Sequence, residues 1–323
     1  MIGHREKTAA AAHARSAIAR RNCKEGVRNP TRGERRRIGQ ATALWLGFAL
    51  GHVFVFGCVV EPVVHDVSDE GPPRLDWSDW GLVLNRAVME DRVDYRKILA
   101  DPAPLERTLA MIARVGPKTT PDLFPDGDSR IAYYINCYNV TILRSIVALA
   151  RNGNVPDKAP TDLDIRFRYR VDGELWSPAD LREKVVALAG NDWRVWFALC
   201  DGRRGGPPLH PRPILGELLD GQLNFVTRMA LYAPGVVQID HGAEHRILLW
   251  RGLYSIKDRM IADYQARMGT THATILNVLG EWSNRLRREY LNTAIGYSVA
   301  EHPFDQRINK LEEMPQPAGL KLF

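Results

Sequence analysis

SRIAYYINCYNVTILRSIVALA, the stretch Ser129–Ala150, predicts the central element of the fold. Its large apolar residues recur every three or four positions, at Ile131, Ile135, Tyr138, Ile142, Ile146 and Leu149. This spacing places them on one face of an α-helix, which predicts a long helix packed into the core. Asn136 and Asn139 lie three residues apart on a different face. We expect their amides to hydrogen-bond neighbouring backbone groups, and the alternative is that they line a pocket.

The segment after this helix predicts a β-hairpin and then a second helix. Apolar and basic side chains alternate over 167–171, and Asp172-Gly173 follows, a dipeptide typical of a type I′ turn. Ser177-Pro178 has the residue types favoured at the cap and first position of a helix, and Gly190 is a natural end for it.

The remaining patterns predict a strand, a second hairpin and three further helices. They place a strand over 194–199, a helix over 215–229, a hairpin from 236–239 and 246–250, and helices over about 255–268 and 271–292. Together the elements predict an α+β fold, a small, mainly antiparallel sheet covered by helices. We expect this globular domain to occupy residues 77–310 and a C-terminal tail to occupy 311–323.

An uncharged apolar run from Ile38 to Val60 follows Arg35-Arg36-Arg37 directly. As a helix it would be roughly 34 Å long, enough for a hydrocarbon core of about 30 Å. We therefore predict one N-terminal transmembrane helix over 38–60, behind a basic, disordered cytoplasmic tail over 1–37. An acidic, proline-containing linker over 61–76 would connect it to the domain. Two alternatives remain, a lipoprotein signal with lipidation at Cys58 and a buried core helix.

Charge predicts the orientation and argues against a nucleic-acid partner. Residues 1–40 contain eleven Lys and Arg residues against three Glu residues, whereas the whole chain has a formal net charge of +6. The rest of the chain is therefore slightly acidic, which does not favour nucleic-acid binding. Because basic flanks stay cytoplasmic, we expect a single-pass protein of the cell membrane with its globular domain outside the cytoplasm.

Four motifs resemble a known family in their identity and order. They are Val93-Asp94-Tyr95, the stretch Tyr133–Asn139, Phe197-Ala198-Leu199 leading into Gly205–Leu209, and Phe304-Asp305 followed by Asn309. They are similar to the domain of unknown function 547 (DUF547), and the resemblance covers roughly residues 80–310. The family is common in bacteria, often behind signal sequences or anchors. The resemblance implies a shared fold and no particular reaction.

The chain departs from that family where thiol chemistry would be expected. Many members carry cysteines at the positions of Asp201 and Gly206, and a histidine at the position of Glu183. A thiol nucleophile needs a thiolate and an adjacent base. The predicted anchor, together with the missing thiol and imidazole at these positions, therefore favours a ligand- or partner-binding module without catalysis, located in the cell envelope.

The alternative is a cell-envelope thiol hydrolase or acyl-transfer enzyme with a shifted active site. Cys200, Asp201 and His210 are the candidate catalytic residues, and Cys137 is expected to be an ordinary buried thiol. One observation weakens this hypothesis. Adjacent residues on a strand point to opposite faces, so Cys200 and Asp201 would not act together on the predicted strand.

The loop that follows Cys200 is a candidate site for an anion. Gly205 and Gly206, together with Gly202, allow backbone amides to face a ligand, and Arg203 and Arg204 supply positive charge. The expected partner is an envelope protein or a small anionic ligand, and the plain alternative is a solvated turn.

No metal site or cofactor is predicted. His241 and His245 have a spacing that suits metal binding on a helix, but the pattern places them in a strand turn. No glycine-rich nucleotide motif follows a strand and opens a helix.

Overall fold

The computed structural model describes residues 72–233, 235–303 and 305–312, and the backbone of Cys58–Val59. All of the described residues belong to one compact unit, residues 55–323. Its helices are α1 (Ser78–Ala87), α2 (Tyr95–Ala100), α3 (Ala103–Arg114), α4 (Gly127–Ala148), α5 (Leu163–Arg166), α6 (Pro178–Ala189), α7 (Val195–Ala198), α8 (Leu219–Tyr232), α9 (Arg251–Met268), α10 (Ile275–Glu281) and α11 (Arg285–Asn292). Its strands are β1 (Cys58–Val59), β2 (Val88–Met89), β3 (Arg92–Val93), β4 (Phe167–Val171), β5 (Glu174–Trp176), β6 (Val237–Asp240), β7 (Arg246–Leu249) and β8 (Ser298–Glu301).

The α+β class is confirmed, but the expected single sheet is wrong. In the part of the chain that the structure describes, the strands form three small sheets, β1-β4-β5, β2-β3 and β6-β7-β8. Three of the pairings are antiparallel hairpins, and two, β1 with β4 and β7 with β8, are parallel. Each hairpin closes through a local turn, and helices separate the hairpins along the chain. Among the described strands, none therefore links the three sheets.

Helix α4 is the centre of the core, as its spacing predicts. Asp126 caps its N-terminus in a reciprocal capping box with Ser129, and fourteen of its 22 residues are buried. A helix that is buried on most of its surface must have other elements packed around it. Helices α3 and α6 and the 3₁₀ turn at Gly216–Leu218 pack against it.

The hairpin β4–β5 and helix α6 also form as predicted. Asp172 and Gly173 have φ angles of +52° and +78°, as a type I′ turn requires. The Asp172 carboxylate accepts hydrogen bonds from the amides of Lys118 and Thr119 and from the Tyr134 hydroxyl, which fixes the turn against the α3–α4 connection. A capping box of Ser177 and Asp180 begins α6.

Two predicted elements are wrong. Residues 194–199 form the short helix α7 rather than a strand, because the Asp192 carboxylate accepts a hydrogen bond from the Arg194 amide and starts a helical turn. The predicted helix 271–292 is two helices, α10 and α11. Asn284 accepts a hydrogen bond from the Arg287 amide and caps a new helix in the middle of the predicted one.

The N-terminal predictions fall almost entirely outside the described residues. Of the run Ile38–Val60, only Cys58–Val59 is described, and its backbone pairs in parallel with Phe167-Arg168. Among the described residues, none of the helices combines the length and apolar character needed to cross a membrane. The anchor over 38–60, the tail over 1–37 and lipidation at Cys58 stay predictions.

Candidate functional site

Two asparagines of α4 hold the loops that approach the site. Asn139 donates from Nδ2 to the Ala198 carbonyl oxygen (2.9 Å) and accepts at Oδ1 from the Cys200 amide (3.0 Å). Asn136 makes the same pair of bonds to the carbonyl and the amide of Ile214, at 2.7 and 2.9 Å. Each buried amide side chain therefore replaces a missing backbone partner, as expected from the sequence.

The loop at residues 200–209 turns one of its arginines inward and the other outward. Arg203 is 6% exposed and donates to the carbonyl oxygens of Pro160 and Asp201, so it is a structural support. The amides of Arg203, Arg204 and Gly206 donate to Asp201 Oδ1, the Arg307 carbonyl and the Arg203 carbonyl. These three amides are thus occupied within the protein, and the Arg204 side chain is the group that can meet an anion.

A C-terminal segment, residues 305–312, crosses this loop and ties it to two other parts of the chain. The Arg204 amide donates to the Arg307 carbonyl, and the Asn309 amide donates to the Gly202 carbonyl. Val93 exchanges two backbone bonds with the segment, donating to the Asn309 carbonyl and accepting from the Leu311 amide. The globular part therefore extends past the predicted limit at residue 310.

The C-terminal segment and the parts of the chain around it line a cleft of about 550 Å³. Its walls combine α2, the 154–158 loop, Arg204 and the C-terminal segment. The lining residues are Asp94, Tyr95, Arg96, Leu99, Asn154, Val155, Asp157, Lys158, Arg204, Arg307, Lys310, Leu311 and Glu312. A cleft of this size matches the volume of a small-molecule site.

The lining is mostly charged, and its cations outnumber its carboxylates. Arg96, Lys158, Arg204, Arg307 and Lys310 face Asp94, Asp157 and Glu312, which leaves a surplus of two positive charges on the walls. The Lys158 side chain belongs to an exposed residue and has no carboxylate partner among the described residues.

Arg204 is the most enclosed cation whose ion pair reaches across the cleft. Its side chain is 14% exposed, its Nη2 lies 2.6 Å from Glu312 Oε1, and its Nε donates to the Ile308 carbonyl at 3.3 Å. Glu312 is the exposed partner, with 71% of its side chain accessible. The Arg204 charge is thus held in place by the protein, whereas its counterion can leave easily.

The lowered pKa values of two cleft carboxylates indicate a positive electrostatic potential there. The hydrogen bond and charge of Arg204 lower the pKa of the Glu312 carboxyl, and Arg92 and Arg307 add to the effect. Lys310 lowers the pKa of the Asp157 carboxyl in the same way, with a further contribution from Arg204. Several cations therefore act together on the space where an anion would bind.

Cys200 lies in a closed, fully buried environment at the start of the loop. The Cys200 Sγ lies 3.6 Å from Asn309 Nδ2. The Oδ1 atom of the same asparagine accepts a hydrogen bond from the Tyr95 hydroxyl at 2.8 Å. Burial, with a smaller effect of Asp201, raises the pKa of the Cys200 thiol to about 12. The thiol is neutral at physiological pH and is a poor nucleophile.

The partners of His210 lie in its own loop and on α8. Its Nδ1 is 2.6 Å from the Arg212 carbonyl oxygen, and its ring makes an edge contact with Phe225. Burial lowers the pKa of His210, which keeps the imidazole neutral. Cys137 is also fully buried, and burial raises the pKa of its thiol well above the usual range.

Positions 201 and 206 lie against each other. A Cβ atom at Gly206 would be 2.3 Å from Asp201 Oδ1, so this glycine makes room for the carboxylate. Burial raises the pKa of Asp201, opposed by Arg203. A cavity of only about 10 Å³ adjoins them, no larger than one water molecule. Glu183, at the position that matches the family's histidine, is exposed on α6.

No metal centre emerges from the described residues, where no group of three His, Cys, Asp or Glu side chains is placed to hold an ion. His241 and His245 lie between β6 and β7 and contact the Tyr297 ring, with centroid distances of 5.7 and 4.9 Å.

Sequence reasoning identified Arg204 but missed the other four cleft cations, Arg96, Lys158, Arg307 and Lys310. They come from separate parts of the chain, and only the crossing of the C-terminal segment brings them together. The single available signal was the resembling motif Phe304-Asp305 followed by Asn309, because this motif lies in the same segment as Arg307 and Lys310.

Comparison with known proteins gives one match. Residues 125–229 match the family described as "Protein of unknown function, DUF547". No curated protein and no solved structure matches the chain. The matched segment contains the central helix α4, the hairpin β4–β5 and the 200–209 loop, whereas the C-terminal segment of the cleft lies beyond it. Over this matched segment, the chain is similar to the DUF547 family.

Proposed function

We propose that this protein is a binding module that holds a small anionic ligand in the cleft beside Arg204. The observation that carries the proposal is the combination of volume and charge, about 550 Å³ of space with five cationic and three anionic side chains on its walls. A carboxylate or phosphate group matches these cations, since guanidinium and ammonium groups form short, charge-assisted hydrogen bonds with both.

The arrangement of Arg204 supports binding of an external anion. Its Nε donates to the Ile308 carbonyl, which orients the guanidinium plane, and its Nη2 lies 2.6 Å from the Glu312 carboxylate, which is largely in solvent. An ion pair with one exposed partner contributes little stability. A ligand anion can therefore replace Glu312 without unfolding the segment that carries it.

The state of the candidate nucleophile supports a binding role without catalysis. The Cys200 thiol is buried and neutral, and the contacts of His210 lie with Arg212 and Phe225. These two residues are the thiol and base of the alternative envelope hydrolase or acyl-transfer enzyme, and no feature of their surroundings favours that alternative.

The proposal places the module outside the cytoplasm, tethered by residues 38–60. Its support is the length of the apolar run and the excess of Lys and Arg before it. Single cysteines introduced in the tail and near residue 71 test this with a membrane-impermeant thiol reagent on intact cells. Labelling near 71 alone is expected, and labelling of the tail alone would contradict the orientation.

Anion binding is tested by thermal shift with phosphate, sulfate, citrate and acetate, compared at equal ionic strength. We expect a concentration-dependent rise in Tm for at least one anion, and Arg204→Gln should weaken its binding at least about tenfold. Arg114→Gln, at an exposed residue in the last turn of α3, is the matched control and should leave binding unchanged. Equal shifts in the Arg204 and Arg114 variants would refute the site.

A further inference from the structure

The outer face of α11 carries unusually exposed apolar side chains. Leu286 is 74% exposed and Ile295, in the turn that follows the helix, is 71% exposed. They are the two most exposed large hydrophobic residues of the described chain. Tyr290 follows Leu286 by four residues and therefore lies on the same side of the helix. We call Leu286, Tyr290 and Ile295, with the arginines of α11, the α11 surface.

The α11 surface is held firmly against the domain. The Arg287 guanidinium lies 5.0 Å from the Tyr290 ring centroid and 5.8 Å from that of Tyr232, and it donates to the carbonyl oxygens of Leu231 and Val237. These contacts fix the helix and orient Tyr290. The exposure of Leu286 thus belongs to a docked helix and not to a frayed chain end.

Positive charge surrounds the apolar side chains. In α11 three arginines, Arg285, Arg287 and Arg288, stand against one acid, Glu289, which lies 2.9 Å from Arg285. Outward apolar side chains, a tyrosine beside them and flanking arginines are the composition of helices that lie in the interface of a membrane with anionic lipids.

The partner that fits this composition is a lipid surface and not a protein groove. Helix α11 has eight residues and is about 12 Å long, so it offers only one pair of apolar positions at helical spacing. A groove-bound helix needs a longer series of apolar anchors. Two protruding aliphatic side chains can enter the headgroup region individually, while the arginines meet lipid phosphates.

We propose that the α11 surface docks the domain onto an anionic membrane surface, with Leu286 and Ile295 inserted and Arg285 and Arg288 at the phosphates. The proposal uses neither the cleft nor the predicted anchor over 38–60. It gives the domain a defined face toward the bilayer.

The test uses the full chain in vesicles and a diazirine amino acid at position 286, with position 218 as the matched control. Leu218 is also an exposed leucine, at 53%, but lies in a 3₁₀ turn far along the chain from α11. The two variants differ only in the position of the probe, so any lipid contact made by another part of the chain is the same in both. We expect position 286 to cross-link to lipid in vesicles with anionic lipid and much less in purely zwitterionic ones.

Charge variants distinguish docking through the α11 surface from attachment through the predicted anchor over 38–60 alone. Replacing Arg285 and Arg288 by Gln should lower the membrane-docked fraction, with the docking equilibrium falling about fivefold per arginine, and high salt should mimic the effect. Equal lipid cross-linking at positions 286 and 218 would overturn the proposal. Cross-linking of position 286 to a second copy of the chain or to another protein would do the same.

Discussion

Replacing Asn139 by Ala should destabilise the domain strongly, although the residue is polar and lies on a helix. Its side chain satisfies both the Ala198 carbonyl and the Cys200 amide, each at 3.0 Å or less, where α7 passes into the 200–209 loop. Asn139 itself is buried, and so are Ala198 and Cys200, so water cannot replace the lost bonds without opening the structure.

The magnitude follows from the two groups left behind. A buried donor or acceptor without a partner costs roughly 1–3 kcal/mol, so the two together cost about 2–6 kcal/mol. The better helix propensity of Ala returns only about 0.5 kcal/mol. A net loss of about 3–4 kcal/mol is a large share of the roughly 5–15 kcal/mol that stabilises a typical domain.

Chemical denaturation of the wild type, Asn139→Ala and Asn139→Asp measures this loss. The Asp variant keeps the acceptor for the Cys200 amide but places a carboxylate oxygen against the Ala198 carbonyl. Its deficit should shrink at low pH, where a protonated carboxyl can donate. Asn292→Ala, at an exposed residue, is the control and should change stability by less than about 0.5 kcal/mol. A loss below about 1 kcal/mol for Asn139→Ala would refute the reasoning.

Three further predictions concern the loop and the cleft. Glu312→Gln removes the internal counterion of Arg204 and should raise anion affinity about two- to fivefold in a calorimetric titration, while unchanged affinity would mean that Glu312 does not compete. Asp201→Asn should raise Tm at pH 7. Burial raises the folded-state pKa of Asp201, so its stabilising effect is present below the unfolded pKa near 3.9 and is lost as pH rises through the folded value. The gain in Tm should therefore diminish toward pH 4, and a constant gain would contradict this cause. Alkylation of Cys200 should be slow at pH 8 and become fast only on unfolding. Stability should fall as pH rises from about 8.5 to 12, because the unfolded thiol ionises first, and rapid labelling of the native protein at pH 7 would show an activated thiolate instead.

Local sequence signals predicted the elements whose stabilising contacts are local. The spacing of apolar residues over 129–150, the Asp172-Gly173 turn and the Ser177 cap all form as expected, because each depends on neighbours within a few residues. The errors at 194–199 and 271–292 have one cause. A single Asp or Asn side chain, Asp192 or Asn284, captures a backbone amide and begins a new helical turn that the apolar pattern does not register.

The candidate site was predictable only in part, since it is assembled by long-range contacts. Arg203 and Arg204 are adjacent and look equivalent in the sequence, yet one is buried against Pro160 and the other faces the cleft. The C-terminal segment contributes to this difference in orientation, because the Arg307 carbonyl accepts a hydrogen bond from the Arg204 amide. Pairing between residues about a hundred positions apart leaves no periodic signal in one sequence.

Amine footprinting of the native protein tests the cleft most directly. Lys158 and Lys310 line it, whereas Lys257 lies on α9 and serves as the reference. Acylation of each lysine is followed by mass spectrometry with and without the anion that gives the largest thermal shift. The account predicts protection of Lys158 and Lys310 with Lys257 unchanged, and loss of that protection in Arg204→Gln. Uniform labelling of all three lysines, with the anion bound and without it, would contradict the account.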